Sequence, residues 1–295
     1  MNQQEMSDRI ANGQGFIAAL DQSGGSTPKA LRGYGIADGA WNGDDEMFAA
    51  IHEMRTRIIE SPCFGNGKVI GAILFEKTMD GMSGGKPVPA RLAERGIVPF
   101  IKVDKGLEDE ANGVQLMKPN PGLEDLCNRA RALGVFGTKM RSVIKSANPV
   151  GIRQIVDQQF AEGARILSTG LVPMLEPEYD IHAADRAEGE KLLLADLMNG
   201  LDALPEGQQV IFKLSIPVEP NLYAPLIAHP KVLRVVALSG GYSTEEACDK
   251  LAQNCGMIAS FSRGLLQDLR AQQSDDEFDA TLGGAMDQIH AASVA

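Results

Sequence analysis

Short runs of apolar and β-branched residues recur along the chain, separated by longer stretches whose apolar residues return every three or four positions. The short runs are GFIAALD, KVIGAILF, VPFIKVD, GVFGTKMRSVI, LVPMLEPE, QVIFKLSI, VLRVVALSGG and MIASFSR, each long enough for one strand. The stretches between them predict amphipathic helices over Asp44 to Ser61, Leu123 to Leu133, Pro149 to Ser168, Ala183 to Ala203 and Ser243 to Asn254. Strands alternating with helices of this length argue for parallel strands joined by crossovers. Eight such units, with no Ser/Pro-rich linker between them, predict an α/β protein with a (β/α)8 TIM barrel, a single domain over 1–295 with a C-terminal helical extension. An open doubly wound sheet is the alternative arrangement of the same elements.

The longest connection, Gln22 to Lys68, carries the glycine-rich DQSGGSTPKALRGYG and is placed to fold over the barrel mouth. Past Arg270 the segment SDDEFDATLGGAMDQIHAA reads as an acidic turn followed by a packing helix.

Composition narrows the partners. The 28 basic and 39 acidic residues leave a net charge of -11, which repels nucleic acid and anionic membrane at long range. A basic cluster must then be local, which suits a small anionic ligand. Cys63, Cys127, Cys248 and Cys255 have no CxxC spacing, so the expectation is structural thiols in a reducing cytoplasm. The first residues, MNQQEMSDRI, lack the basic start and apolar core of a secretory signal, and no apolar run is long enough to span a bilayer.

Candidate chemistry comes from charges in strands that should be dry. In QVIFKLSI, Val210, Phe212, Leu214 and Ile216 share one face, which suits burial under helices, while Ile211, Lys213 and Ser215 share the other. Lys102 with Asp104, Lys139 with Arg141, and Glu176 with Glu178 are i, i+2 pairs that each lie on one side of a strand. With Asp21 and Lys213 they would converge on the C-terminal mouth of a barrel, where barrel enzymes carry their sites. A single such charge is as readily explained by a structural ion pair; repeated burial of charge, at several kcal/mol or more for each unpaired ion, points to a site.

A lysine with pKa ~10.4 is neutral in only about one molecule in 2,500 at pH 7. Desolvation and the positive field of Lys139 or Arg141 would expose more free amine at Lys213, and a protonated imine formed there with a ketone would weaken an adjacent carbon–carbon bond. Glu176 is the candidate proton shuttle, with Asp21 as a second carboxylate. Two further clusters suit phosphate. Ser239, Gly240 and Gly241 close the seventh strand and Arg263 the eighth, the usual place for a barrel phosphate cradle, while Ser23, Ser26 and Lys29 follow Asp21.

In these segments, from ALDQSGGSTPKAL through ILFEKTM, IKVDKG, TKMRSVI, VPMLEPE, FKLS and LSGG to SFSRGL, the chain resembles class I fructose-1,6-bisphosphate aldolase, the metal-independent Schiff-base type. The resemblance implies that Lys213 forms the imine, that Glu176 moves protons, that Asp21 takes the proton of the C4 hydroxyl, and that Lys139 sits beside the reacting carbons. It implies that Lys102 and Arg141 help to bind substrate, that Ser239, Gly240, Gly241 and Arg263 hold the C1 phosphate, and that Ser23, Ser26 and Lys29 lie near the other. The implied reaction is reversible cleavage of fructose 1,6-bisphosphate in glycolysis or gluconeogenesis, with no metal or organic cofactor and a sugar phosphate as partner. The family often forms tetramers, so a homo-oligomer would be in keeping.

Three departures stand out. Leu214 and Ser215 follow Lys213 where the family commonly has Pro-Asn; Phe261, Ser262 and Arg263 stand where animal enzymes have Tyr-Gly-Arg; and no tyrosine follows Tyr242. Rival functions are a transaldolase or deoxyribose-phosphate aldolase acting on a monophosphate, a zinc-dependent aldolase, and a non-catalytic sugar-phosphate binder. Two phosphate clusters weigh against the first, and the dispersed His52, His182, His229 and His290 against the second.

Overall fold

The computed structural model describes residues 1–295. The apolar runs form barrel strands β1 (Phe16–Leu20), β2 (Val69–Leu74), β3 (Val98–Lys102), β4 (Gly137–Ile144), β5 (Val172–Tyr179), β6 (Val210–Ser215), β7 (Val232–Leu238) and β8 (Ile258–Ala259). Each pairs in parallel with the next. The sheet therefore runs in chain order, as a barrel requires and a doubly wound sheet does not.

The main helices are α1 (Gln3–Asn12), α2 (Ser26–Gly33), α3 (Gly43–Glu60), α4 (Val88–Glu94), α5 (Leu123–Ala132), α6 (Pro149–Ser168), α7 (Arg186–Ala203), α8 (Thr244–Leu251) and α9 (Asp275–Ser293). The five helices expected from periodicity form within a few residues of their predicted ends. Asn148 caps α6 by accepting from the Val150 and Gly151 amides, and Pro149 follows at the first helical position, so the start of this helix is written locally. The last helix, α9, packs on α8, β8 and β1.

Two cores result from the strand period. Val210, Phe212, Leu214 and Ile216 join the large cluster between strands and outer helices, as expected, whereas Ile211 joins a smaller cluster inside the ring. That inner cluster includes Ile17, Ile70, Phe100, Phe136, Met174, Val236 and Ile258, closed from below by Met6 and Ile10 of α1. Only those two residues of α1 are buried, too thin a stripe to show as amphipathic periodicity. The apolar plug fills the lower barrel, so the charged residues one turn of the pleat higher lie in its upper half.

The ring is nearly closed rather than fully laddered. β8 is only two residues long, shorter than MIASFSR suggests, and it pairs with β7 while lying beside β1 without a hydrogen-bonded ladder. The Ser260 amide still donates to Ala237 O at 2.7 Å, after which the chain turns away. Arg263 therefore does not end a strand as expected; it opens a short helical turn, Arg263–Leu266. No helix is long and apolar enough to cross a membrane.

Candidate active site

The C-terminal ends of the strands surround a cavity of about 860 Å³. Asp21, Ser23, Ser26, Lys29, Lys102, Lys139, Arg141, Glu176, Lys213, Ser239, Gly240 and Arg263 all line it, so nearly every candidate side chain from the sequence meets in one space. Gly241 is the one candidate that does not line the cavity, yet it belongs to the same turn; a Cβ added there would lie 3.6 Å from an Arg263 amino group.

Strand register explains the convergence. Arg141 of β4 is level with Glu176 of β5, and Lys102 of β3 with Lys139 of β4, so charges from neighbouring strands reach the mouth in adjacent tiers. Lys213 and Glu176 are both buried, with Nζ 3.1 Å from Glu176 Oε1. Lys139 Nζ lies 2.6 Å from Asp21 Oδ2, 3.1 Å from Glu176 Oε2 and 3.9 Å from Asp104 Oδ2. Lys102 pairs with Asp104 at 2.7 Å, and Arg141 with Glu178 at 2.8 Å. Glu176 thus faces the Nζ atoms of two lysines, while its Oε2 meets Lys139 out of hydrogen-bonding alignment and has no other partner.

This pairing corrects one expectation. Lys139 and Arg141 were to act on Lys213 as bare positive neighbours, but Lys139 is surrounded by carboxylates and Arg141 is held by Glu178. Attraction to opposite charge at 3–4 Å in a low-dielectric site outweighs the loss of solvation for such groups. Burial alone would lower Lys139, yet Asp21, Glu176 and Asp104 hold it well above the ordinary lysine range. Burial likewise pushes Asp21 and Asp104 up, and the lysines around them win, so both sit below the usual aspartate range and are ionised. Burial dominates at Glu178 and raises it despite Arg141.

No group of three or more His, Cys, Asp and Glu side chains is arranged to hold a metal ion. The place where Asp21, Asp104 and Glu176 could gather a cation is filled by the Lys139 ammonium itself.

The phosphate candidates are built from backbone. Gly240 has φ +61° and Gly241 φ +134°, and a Cβ on Gly240 would come within 2.5 Å of Ile181, so glycine is required for both conformation and space. At the other side of the mouth, Ser26 Oγ accepts from the Ser23 amide and donates to Ser23 O, each at 2.8 Å, fixing the turn that leads into α2. Lys29 and Arg263 line the cavity outside every ion pair of the protein.

Arg55, Gln22, Ser260 and Ser262 join the site without being among the strand charges that mark it in sequence. Arg55 of α3 is fully buried; it donates to Gln22 O at 2.5 Å and to Thr78 Oγ1 at 2.7 Å. Gln22 Nε2 in turn donates to Ser262 Oγ at 2.5 Å, tying the loop after β1 to the chain after β8 where the ladder is missing. Burial lowers Arg55 to about 10, with Asp21 pulling the other way. The signal was present: Arg55 lies one turn from Ile51 and next to Met54 on the buried stripe of α3. Ser260 lines the cavity with its hydroxyl unpartnered by the protein.

Comparison with known proteins bears on the fold and on the family. A solved Plasmodium falciparum fructose-bisphosphate aldolase, in complex with TRAP and a small-molecule inhibitor, superposes with a TM-score of 0.79 over 99% of this chain and 94% of that one. Its sequence identity is 18%, so the likeness is one of fold. A Toxoplasma gondii chain named as an orotidine-monophosphate-decarboxylase reaches a TM-score of only 0.45 at 11% identity, covering 98% of this chain and 96% of its own, and bears on nothing here. The family model for fructose-bisphosphate aldolase class-I matches residues 3–188, from α1 to the start of α7 and across Asp21, Lys102, Lys139 and Glu176. With more than half of the chain matched, this protein belongs to the class-I fructose-bisphosphate aldolase family.

Proposed function

We propose that the protein cleaves fructose 1,6-bisphosphate reversibly to dihydroxyacetone phosphate and glyceraldehyde 3-phosphate through an imine on Lys213, the glycolytic and gluconeogenic reaction. The observation that carries this reading is the buried Lys213 amine 3.1 Å from Glu176, in one cavity with the Ser239–Gly240 turn and Arg263. Aldolase chemistry fits the family, and the buried lysine–carboxylate pair supports the covalent step.

In that reading the Lys213 ammonium passes a proton to Glu176 and the free amine attacks the C2 carbonyl carbon. Glu176 returns protons as the carbinolamine loses its oxygen as water, leaving a protonated imine. Asp21, ionised beside Lys139, takes the C4 hydroxyl proton; the C3–C4 electron pair flows to the imine nitrogen and the aldehyde departs. Protonation of the resulting enamine at C3 and addition of water release the ketone and restore the lysine. Lys139, raised above the ordinary lysine range by the carboxylates around it, balances the charge that builds on the C4 oxygen. Ser239, Gly240, Gly241 and Arg263 take the C1 phosphate, and Ser23, Ser26 and Lys29 the C6 phosphate, with Lys102 and Arg141 on the sugar hydroxyls between.

Borohydride reduction in the presence of dihydroxyacetone phosphate tests the reading. The expected product is a stable adduct mapped by mass spectrometry to the Lys213 peptide and lost in Lys213→Met. An unlabelled wild-type protein that still binds phosphate would reject the imine. EDTA is expected to leave turnover unchanged.

A further inference from the structure

Outside the charged cluster, one buried ion pair contacts the chain beyond the ends of both β6 and β7. Arg186 and Glu190, at the start of α7, are 3% and 0% exposed and meet at 2.7 Å between Nε and Oε1. Arg186 also donates to the Ile216 carbonyl, and Glu190 Oε2 accepts from the Val218 amide at 2.8 Å, so the pair grips the chain just after Lys213 leaves β6. Its third contact reaches the next strand: Arg186 NH1 donates to the Tyr242 hydroxyl at 3.0 Å. Tyr242 directly follows Gly241. Its ring carries the Lys250 ammonium 5.0 Å from the centroid, and its amide donates to Ser239 O at 3.0 Å, which closes the turn on itself.

A guanidinium suits this task because its fork supplies donors in three directions at fixed angles, so the positions of three partners become coupled. The cost of burying the ion is offset by Glu190, and every other donor contact goes to a β6 or β7 connection rather than to a neighbouring helix. A pair serving stability alone has no need of that reach. The turn itself has no side chain at two of its positions, Gly240 and Gly241, both at positive φ, so bracing must come from its neighbours. Ile181 packs against it from one side and the Tyr242 hydroxyl anchors its end.

We propose that Arg186, acting through Tyr242, is a positioning residue that sets the distance between the anion-binding turn Ser239–Gly240–Gly241 and the Lys213 amine. The inference rests on the reading of Lys213 and that turn given above. It makes the pair specific in effect: a donor held by its phosphate depends on the anchor, and a donor without phosphate does not.

The test compares Tyr242→Phe, which removes one hydroxyl and keeps the ring on Lys250, with the wild type. The readout is the concentration of dihydroxyacetone phosphate, or of unphosphorylated dihydroxyacetone, that gives half-maximal borohydride trapping. Loss of one hydrogen bond to a charged group is expected to raise the value for the phosphate ester by about tenfold or more. The value for dihydroxyacetone should stay where it is. Arg186→Lys, which keeps the charge opposite Glu190 and loses the fork, should shift the two donors in the same unequal way. An unchanged value for the ester, or an equal rise for both donors, overturns the proposal while leaving Lys213 as nucleophile. Absence of trapping in the wild type overturns the Lys213 reading and this proposal with it.

Discussion

Lys213 is legible in sequence because it interrupts an apolar strand on the face that carries Ile211, and a strand has only two faces. Its partner was legible too, since Glu176 and Glu178 share a side of β5, but which of the two would meet the amine depended on register. The β5–β6 pairing of Met174 with Ile211 puts Glu176 level with Lys213, and Glu178 is left to Arg141. Replacing Glu176 with Gln keeps its volume and removes its ability to take up and return a proton, so kcat should fall about 10²- to 10⁴-fold with a smaller change in KM. Lys213→Met should abolish turnover while thermal unfolding shows a folded protein, because Lys139 still balances Glu176. Turnover within tenfold of wild type in either variant would remove these residues from the mechanism. Arg55 was the residue most open to being read and was not: a charge on the apolar stripe of α3 is as informative as one in a strand, but helix stripes tolerate snorkelling side chains and so conceal it.

The elements that position the site differ in how locally they are encoded. α6 begins where an Asn cap and a Pro say it should, and α9 opens on a capping box between Ser274 and Glu277. β8 is the opposite case. Its apolar run is long enough for a strand, yet only Ile258 and Ala259 pair, because the chain must turn to bring Phe261 into the core and Arg263 to the cavity. The gap this leaves against β1 is bridged by Gln22 and Ser262, residues whose meeting across 240 positions has no local signature. The turn after β7 shows local encoding at its strictest. Gly240→Ala should raise KM for a phosphorylated donor by tenfold or more, since the new Cβ needs both a disfavoured φ and the space of Ile181. A KM unchanged within twofold would show that the turn does not hold the phosphate.

Across the whole molecule, the buried charges make stability depend on pH in opposing ways. Asp21 and Asp104 are depressed in the folded state by the lysines around them, so their contribution is complete above the ordinary aspartate value of about 3.9 and fades as pH falls toward the folded values. Glu178 and Glu190, raised by burial, bind protons more tightly when folded and favour the fold as they protonate, which offsets part of that loss. Lys139 is raised, so its contribution is complete below the ordinary lysine value of about 10.4 and is lost as pH climbs beyond it toward the folded value. Urea unfolding measured down from pH 7 should therefore show stability declining below about pH 4, with a shallower decline in Asp104→Asn than in wild type. Equal slopes would mean that Asp104 is not depressed by Lys139 and Lys102.

What the sequence determined by itself was the alternation of strand and helix, the inward side of each strand, and the set of charges delivered to one end of the ring, because each is a property of residues two to four apart along the chain. Only the tertiary structure decided that Lys139 would be enclosed by Asp21, Glu176 and Asp104, that Arg55 and Gln22 would stitch the seam between β1 and β8, and that Arg186 would reach Tyr242. Pairing among buried charges is settled by a few tenths of a nanometre in strand register and loop path, where Coulomb energy changes steeply with distance, and those displacements are summed over the whole closed ring rather than written in any one segment.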